Sequence, residues 1–510
     1  MPPAISTATE AIAAIPSGAT VAVSGFVGAG HPELLTTALE ERFLASAQPR
    51  DLTLVYAAGQ GDGKDRGLNH LAHEGLLKRV IGGHWNLAPK LGTLALENKI
   101  EAYNFPQGVV CQLFREIAGK RPGVITKVGL NTFIDPNNEG GRLNQRTKQE
   151  LIERLELDGE TWLRYRSFPI TVALIRATSA DPQGNLSVEH EGLIGDILPI
   201  AQAARNHGGI VIAQVERIVE RISDPKAVRV PGILVDFLVE SPQDKQAHQQ
   251  TFAESFNPAY VTTRDNKIST TPQTLPFSCR KIIGRRALEE IRSGDIVNLG
   301  IGMPEAISAV AAEAGRLEEF TLTLESGPIG GEPASGLSFG CSSYPDAIID
   351  QPSQFDFYDG GGIDLAALGA IEIDQLGNVN ITQFGNRFAG VGGFVNITQN
   401  ARRVIFCAPF RVKGLTAKVS DGNLTITSEG QIPKFVKRVQ QVAFHGPSAI
   451  ERGQEVLYVT ERAVFRLTAD GLALIETAPG IDLQEQILDQ MEFQPLVDQL
   501  TKMPSSCFDP

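Results

Sequence analysis

The chain has 510 residues, more than one hydrophobic core accommodates, so two or more domains are expected. Its 46 Lys and Arg against 59 Asp and Glu give a net charge of -13, which argues against a general nucleic-acid binder or a basic membrane-surface protein. Apolar residues make up 42% and charged residues 21%, as in a soluble globular protein, and no apolar run approaches the ~18 residues of a membrane span. Five cysteines (Cys111, Cys279, Cys341, Cys407 and Cys507) stand far apart without a CxxC pair, so neither a disulfide framework nor a zinc site is signalled. The amino terminus lacks the basic region and apolar run of a signal peptide, and a cytoplasmic location is expected.

In chain order, residues 7–20 read as a short helix stopped by Pro16-Ser-Gly18. A strand, Val21-Ala-Val-Ser24, runs into a glycine-rich loop, Gly25-Phe-Val-Gly-Ala-Gly-His-Pro32, then a helix to about Leu44 and a strand, Leu52-Thr-Leu-Val-Tyr56. Residues 285–325 repeat this order. A helix from Arg285 stops at Ser293-Gly294, a strand covers 295–299, and a loop, Gly300-Ile-Gly-Met-Pro304, leads into a helix over 305–314 and a strand, Leu322-Thr-Leu-Glu325. Further on, Asp181-Pro-Gln-Gly-Asn-Leu-Ser-Val188 matches Asp374-Gln-Leu-Gly-Asn-Val-Asn-Ile381, and strand 210–213 matches 404–407. The offset between copies is about 270 early and about 193 late, so the first copy carries an insertion within about 60–165. Two tandem α/β units are expected, over 1–240 and 279–510, joined by a polar linker at 241–278. The tail over 480–503, with Ile481, Leu483, Ile487, Leu488 and Met491, reads as an amphipathic packing or dimer helix.

One stretch stands out, Leu322-Thr-Leu-Glu-Ser-Gly-Pro-Ile-Gly-Gly-Glu-Pro333. An apolar run ends in Glu325, and glycines and a proline force a tight turn after it. A carboxylate at the carboxyl end of a sheet strand stands at the rim where α/β folds place their sites. A strand-end acid in solvent or in an ion pair is the plainer explanation. Against it, the equivalent position of the first copy is read as Val55, so the fold does not require an acid there.

The loops at 25–32 and 300–304 each join a strand to a helix, where amides and a helix N-terminus favour an anion. Neither is a full dinucleotide or phosphate-loop motif, and ligand-free tight turns explain each equally well. Phe388-Ala-Gly-Val-Gly-Gly-Phe394 is a third glycine-rich segment. No serine nucleophile elbow is expected. His70 and His73 lack a clear third ligand and read as surface or core histidines, so no metal is expected.

Taken together, Glu325-Ser-Gly, Gly300-Ile-Gly-Met-Pro304, Gly25-Phe-Val-Gly-Ala-Gly-His-Pro32, Asn104-Phe-Pro-Gln-Gly108, Phe388-Ala-Gly-Val-Gly-Gly-Phe394 and the tail Ala478-Pro-Gly-Ile-Asp-Leu483 make the chain resemble the family I coenzyme A-transferases. The resemblance covers nearly the whole chain and is strongest to the fused, single-chain acetate or propionate type. It implies two similar tandem α/β domains of the CoA-transferase or ribose-phosphate-isomerase-like kind, with the active site in the cleft between them. The second domain would carry the catalytic nucleophile, Glu325. The resemblance further implies that Gly392, Gly393 and Gly28 supply oxyanion amides. CoA would lie along Gly300, Ile301, Gly302, Met303, Pro304 and Gly390, and Gln107 would line the acyl pocket. Acyl-CoA and a small carboxylate are the implied partners, with coenzyme A as co-substrate and covalent intermediate rather than a resident cofactor. A homo-oligomer is expected, with no nucleic-acid or membrane partner.

A glutamate with an ordinary pKa near 4.3 is ionised at pH 7 and attacks a thioester without a general base. The expected reaction moves CoA from a short-chain acyl-CoA to a carboxylate such as acetate through a glutamyl-CoA thioester. Two alternatives stay open: acyl-CoA hydrolysis on the same scaffold, and a non-catalytic sensor of acyl-CoA or sugar phosphates.

Overall fold

The computed structural model describes residues 2–242, 246–263, 274–385 and 387–509. The chain forms two compact units that do not follow its order. One takes in 1–267, 324–357 and 386–396, the other 268–323, 358–385 and 397–510.

The first unit opens with helix α1 (Ala8–Ala13), capped by the reciprocal Thr7–Glu10 bonds that a Thr-x-x-Glu sequence allows. Strand β1 (Thr20–Val23), helix α2 (Glu33–Ser46) and strand β2 (Leu52–Tyr56) follow as expected. Then come β3 (Leu77–Gly82), β4 (Glu101–Asn104) and helix α3 (Gln107–Ala118). Strands β5 (Gly123–Thr126), β6 (Ile152–Leu157) and β7 (Glu160–Arg166) form a small antiparallel sheet of their own. The main sheet resumes with β8 (Val172–Ala180), α4 (Ile197–Asn206), β9 (Ile210–Ile218) and β10 (Phe237–Glu240). Its order is β10-β9-β8-β1-β2-β3-β4, with every neighbour parallel. All nine residues of β8 are buried, as a strand covered on both faces requires. Of the expected insertion, 77–118 therefore lengthens the main sheet, and only the stretch around β5–β7 is separate.

Strand β8 carries one buried cation, Arg176. It donates from Nε to Oε1 of Glu191 at 3.0 Å, and its Nη2 lies 3.0 Å from Oε2. His248 Nε2 is 3.3 Å from the same carboxylate. Burial alone would raise the Glu191 pKa, but Arg176 and then His248 outweigh it and hold the group at about 2.

In the second unit, helix α5 (Cys279–Leu288) begins at Ser278, whose hydroxyl accepts from Lys281 N, and starts six residues before the helix read from the sequence. Strand β11 (Ile296–Leu299), helix α6 (Ala306–Glu313) and strand β12 (Thr321–Thr323) follow. Strands β13 (Leu365–Gly369), β14 (Arg403–Cys407) and β15 (Glu455–Val459) complete a parallel set in the order β12-β11-β13-β14-β15. Strands β16 (Ala463–Thr468) and β17 (Gly471–Thr477) add to it antiparallel.

The order β2-β1-β8-β9 of one unit recurs as β12-β11-β13-β14 in the other. The repeat extends to single bonds. Asp181 Oδ1 accepts from the amides of Gln183 and Asn185, and Asp374 Oδ1 accepts from those of Leu376 and Asn378. In both turns the third residue on is a glycine with positive φ, Gly184 or Gly377.

Three expectations need correction. The tail over 480–503 is not one helix. It makes two short helical turns, at Leu483–Gln486 and Leu488–Gln490, and then strand β18 (Leu496–Lys502), parallel to β17. Pro495 cannot donate a helical hydrogen bond, and buried Ile487, Met491 and Phe493 anchor an irregular crossing instead. The expected linker 241–278 falls partly outside the described residues, at 243–245 and 264–273. Its described part over 246–263 is built into the first unit, where Thr251, Phe252 and Tyr260 are buried. Finally, 324–357 and 386–396, expected with the second domain, pack in the first unit. Leu324, Phe339 and Cys341 share an apolar cluster there with Phe26, Val27, Ala29, Ala58, Leu193 and Tyr260.

Candidate active site

The unit boundary falls between Thr323 and Leu324, directly before the candidate nucleophile. Leu324 accepts from Gly327 N at 3.0 Å, closing a four-residue turn with half-buried Glu325 at its second position. Ser326 is fully buried and donates from its hydroxyl to Gly340 O at 2.5 Å. Gly327 has φ +123°, and a Cβ there would lie 2.0 Å from Ile349 O, so only glycine fits.

Register also corrects the counterpart of Glu325. Thr20 pairs with Thr53, and Ile296, which holds the place of Thr20 in the other copy, pairs with Thr321. Glu325-Ser326-Gly327 therefore answers to Ala57-Ala58-Gly59 rather than placing Glu325 opposite Val55. The acid remains particular to one copy.

The loop after β1 packs beside this turn. Val27 donates from N to Gly59 O at 2.7 Å, and its φ of 52° is uncommon for a β-branched residue. A Cβ on Gly28 would come within 2.6 Å of Phe252 N and 2.7 Å of Leu337 O. Behind the loop, buried His31 bonds through Nδ1 to Gln60 Oε1 at 2.6 Å and through Nε2 to Thr36 Oγ1 at 2.9 Å. Burial pushes the His31 imidazole down to about 4, partly countered by Glu33.

The segment 389–393 is fastened to the ends of β3 and β4. Trp85 N donates to Ala389 O at 2.8 Å and Gly392 N to Gly83 O at 2.9 Å. Asn104 joins both sides: its Nδ2 donates to Gly82 O and Gly83 O, and its Oδ1 accepts from Val391 N at 3.0 Å. Gly390 and Gly392 both have positive φ. Gln107 heads α3 and donates from N to Gly392 O at 2.9 Å. Among the described residues the amides of Gly28 and Gly393 meet no acceptor, as an oxyanion donor would require before substrate arrives.

One unit thus gathers Glu325, Gly28, Gly390, Gly392, Gly393 and Gln107. The 300–304 loop belongs to the other, at the carboxyl end of β11. There Gly300 N donates to Ala367 O, Gly302 has φ +90° with open space around it, and Ile301 is exposed. Arg280 braces this loop through Gly302 O and Glu305. Met303 is partly buried and Pro304 buried.

His70 and His73 have side-chain partners other than a metal. His70 sits between Glu33 and Glu40, and His73 donates from Nε2 to Glu40 Oε1 at 2.7 Å. Among the described residues no group of three or more His, Cys, Asp or Glu is placed to hold a metal ion. No described helix is long and apolar enough to cross a membrane.

Comparison with known proteins bears on this arrangement. The sequence model of the family described as Coenzyme A transferase matches residues 5–241. The caffeate CoA-transferase of Acetobacterium woodii is 45% identical over 508 residues, 98% of this chain and 96% of its own length. The chain belongs to the coenzyme A transferase family. A further member, the acetate CoA-transferase YdiF of Escherichia coli (strain K12), is 42% identical over 97% of this chain and 93% of its own length. The crystal structure of the acyl-CoA transferase YdiF from Escherichia coli O157:H7, as a thioester complex with CoA, matches at a TM-score of 0.93 and 41% identity. It covers 100% of this chain and 96% of that one.

Two residues of this coenzyme A transferase escape sequence reading. Asn104 lies inside a quoted motif without a role, and His84 follows Gly82-Gly83 at the end of β3 without being singled out. The available signal for both is position: each stands at the carboxyl end of a parallel strand, the rim where such sheets bind ligands.

Proposed function

We propose that the protein transfers CoA from a short-chain acyl-CoA to a small carboxylate such as acetate, through a glutamyl-CoA thioester on Glu325. The observation that carries this is the turn at 324–327, which projects an acid into a unit that also holds Gly28, the 390–393 loop and Gln107. The thioester complex seen in the YdiF relative supports the same reading.

The Glu325 carboxylate attacks the acyl-CoA carbonyl, and the CoA thiolate leaves as a mixed anhydride forms. The thiolate then attacks the glutamyl carbonyl and releases the donor's carboxylate, leaving CoA on the enzyme. An acceptor carboxylate reverses both steps. Each tetrahedral step develops an oxyanion, and Gly28 and Gly393 are the proposed source of amides, each such donor typically worth roughly 3–4 kcal/mol; Gly392, expected to share that role, is committed instead, its amide donating to Gly83 O. Gly300–Pro304 and Gly390 are the proposed CoA contacts, and the remote parts of CoA help to drive the reacting end into place. The exchange of thioester for thioester needs no ATP. A cytoplasmic, homo-oligomeric enzyme remains part of the proposal.

The first product leaves before the acceptor enters, so initial rates with acyl-CoA and acetate varied together are expected to give parallel double-reciprocal lines. Intersecting lines would count against the covalent route. Appearance of a new acyl-CoA supports transfer. Release of free CoA alone would mark a hydrolase, and neither product would mark a sensor.

A further inference from the structure

His84 lies beside Gly392 without being assigned a part in the reaction. An ideal Cβ on Gly392 would stand 3.5 Å from Gln107 Oε1, 3.7 Å from His84 Cβ and 3.8 Å from His84 Cδ2. The carboxamide and the imidazole therefore flank the same glycine. His84 also makes a bridge with Gly390 through its backbone. The ring is only partly exposed and leans on Gly59, where a Cβ would come within 2.5 Å of Nδ1. Gly59 joins this ring to the nucleophile's surroundings, because its carbonyl holds Val27 and its neighbour Ala58 packs with Leu324.

Two buried polar atoms here have no partner: Gln107 Nε2, on a side chain only 2% exposed in its residue, and His84 Nδ1. Orphaned N–H groups are rarer in protein interiors than orphaned acceptors. A proton on Nδ1 would add a second orphaned N–H to the one on Gln107, so the proton is assigned to Nε2. Burial pushes the imidazole down to about 4, so at neutral pH the ring is an uncharged donor. Gln107 Nε2 is a second uncharged donor on the same side of Gly392.

Resting on the transfer reaction proposed above, we infer that His84 Nε2–H, paired with Gln107 Nε2, holds an oxygen of the free carboxylate substrate beside the 390–393 loop. Uncharged donors suit this substrate for a definite reason. The group is a carboxylate before reaction and a neutral acyl afterwards. A cation would bind the first form much more tightly and deepen the ground state, whereas neutral donors serve both forms. His84 is thus a specificity-determining contact for the acid, chosen by its carboxylate end.

The test separates the two halves of the reaction. Enzyme–CoA thioester is prepared with acyl-CoA, freed of small molecules, and discharged either by acetate or by hydroxylamine, a small nucleophile with no carboxylate. His84→Ala and His84→Asn, whose amide reaches only the Nδ1 position, are expected to discharge to acetate about tenfold or more slowly, the size of one lost hydrogen bond to a charged group. Their discharge by hydroxylamine should stay within about twofold. His84→Gln, whose amide reaches toward Nε2, should keep acetate discharge within about threefold of the parent. Equal discharge in all variants, an equal fall with both nucleophiles, or a Gln variant as slow as the Asn variant would overturn the inference. Failure of the parent enzyme to form any thioester would instead overturn the proposed function.

Discussion

Glu325→Gln is expected to abolish CoA transfer, by roughly a thousandfold or more, while the fold survives. The amide keeps the size of the side chain but offers no nucleophilic carboxylate. The parent incubated with acyl-CoA and no acceptor should gain the mass of CoA less one water, and borohydride should inactivate it only after that exposure. Glu325→Asp retains the charge but withdraws it by one methylene, and a displacement near 1 Å can cost about a hundredfold. Because Gly327 and the buried Ser326 hydroxyl fix the turn, the backbone has little freedom to follow the shorter side chain. An unmodified parent protein together with a fully active, freshly purified Gln variant would sink the assignment.

Arg176→Met should be the most damaging change to stability away from the site, costing about 3–5 kcal/mol because it strands the buried Glu191 charge. The double variant Arg176→Met/Glu191→Leu removes that stranded charge and should recover most of the loss. Urea titrations followed by amide exchange in β8 read both; a double variant no better than the single one would count against the account. The same pair sets an acid limit. Glu191 is held at about 2 in the folded chain, below the ~4.3 of an unfolded glutamate. Its contribution is complete above ~4.3 and disappears as pH falls from there toward 2, so the parent should lose stability over that window and the double variant less so.

Local chemistry made much of this protein legible before any coordinates. Strand–glycine–helix order is written within a few residues and forms as read, and the match between 181–188 and 374–381 returns as two like turns. Glu325 was visible for the same reason, as an acid where an apolar run stops. Long-range packing was not legible. Nothing local to 324–357 says that Leu324 and Phe339 find their apolar partners among Phe26 and Val27. The offset between copies changes inside the β1–α2–β2 region, so only strand register identifies Ala57 as the counterpart of Glu325. The tail misled because its apolar spacing fits a helix while Pro495 and Val497 fit the strand it becomes. A single histidine after two glycines forms no motif, so His84 carries no local signal; its interest lies in Gly59, Gly392 and Gln107, which are remote in sequence.

The sharing of one unit by distant segments has a consequence for biosynthesis. The first sheet has all its strands once residue 240 has left the ribosome, but 324–357 and 386–396 are still to come. At about 5–20 residues per second, the intervening synthesis leaves that unit incomplete for roughly 8–30 seconds. For the first roughly 5–20 seconds of that interval, until Cys341 is made, Phe26, Val27 and Ala58 lack the cover that Leu324, Phe339 and Cys341 later supply, an apolar face open to chaperones or to neighbouring nascent chains. The nucleophile arrives with that cover, so a nascent chain acquires its reactive acid only as the surface beneath it is sealed.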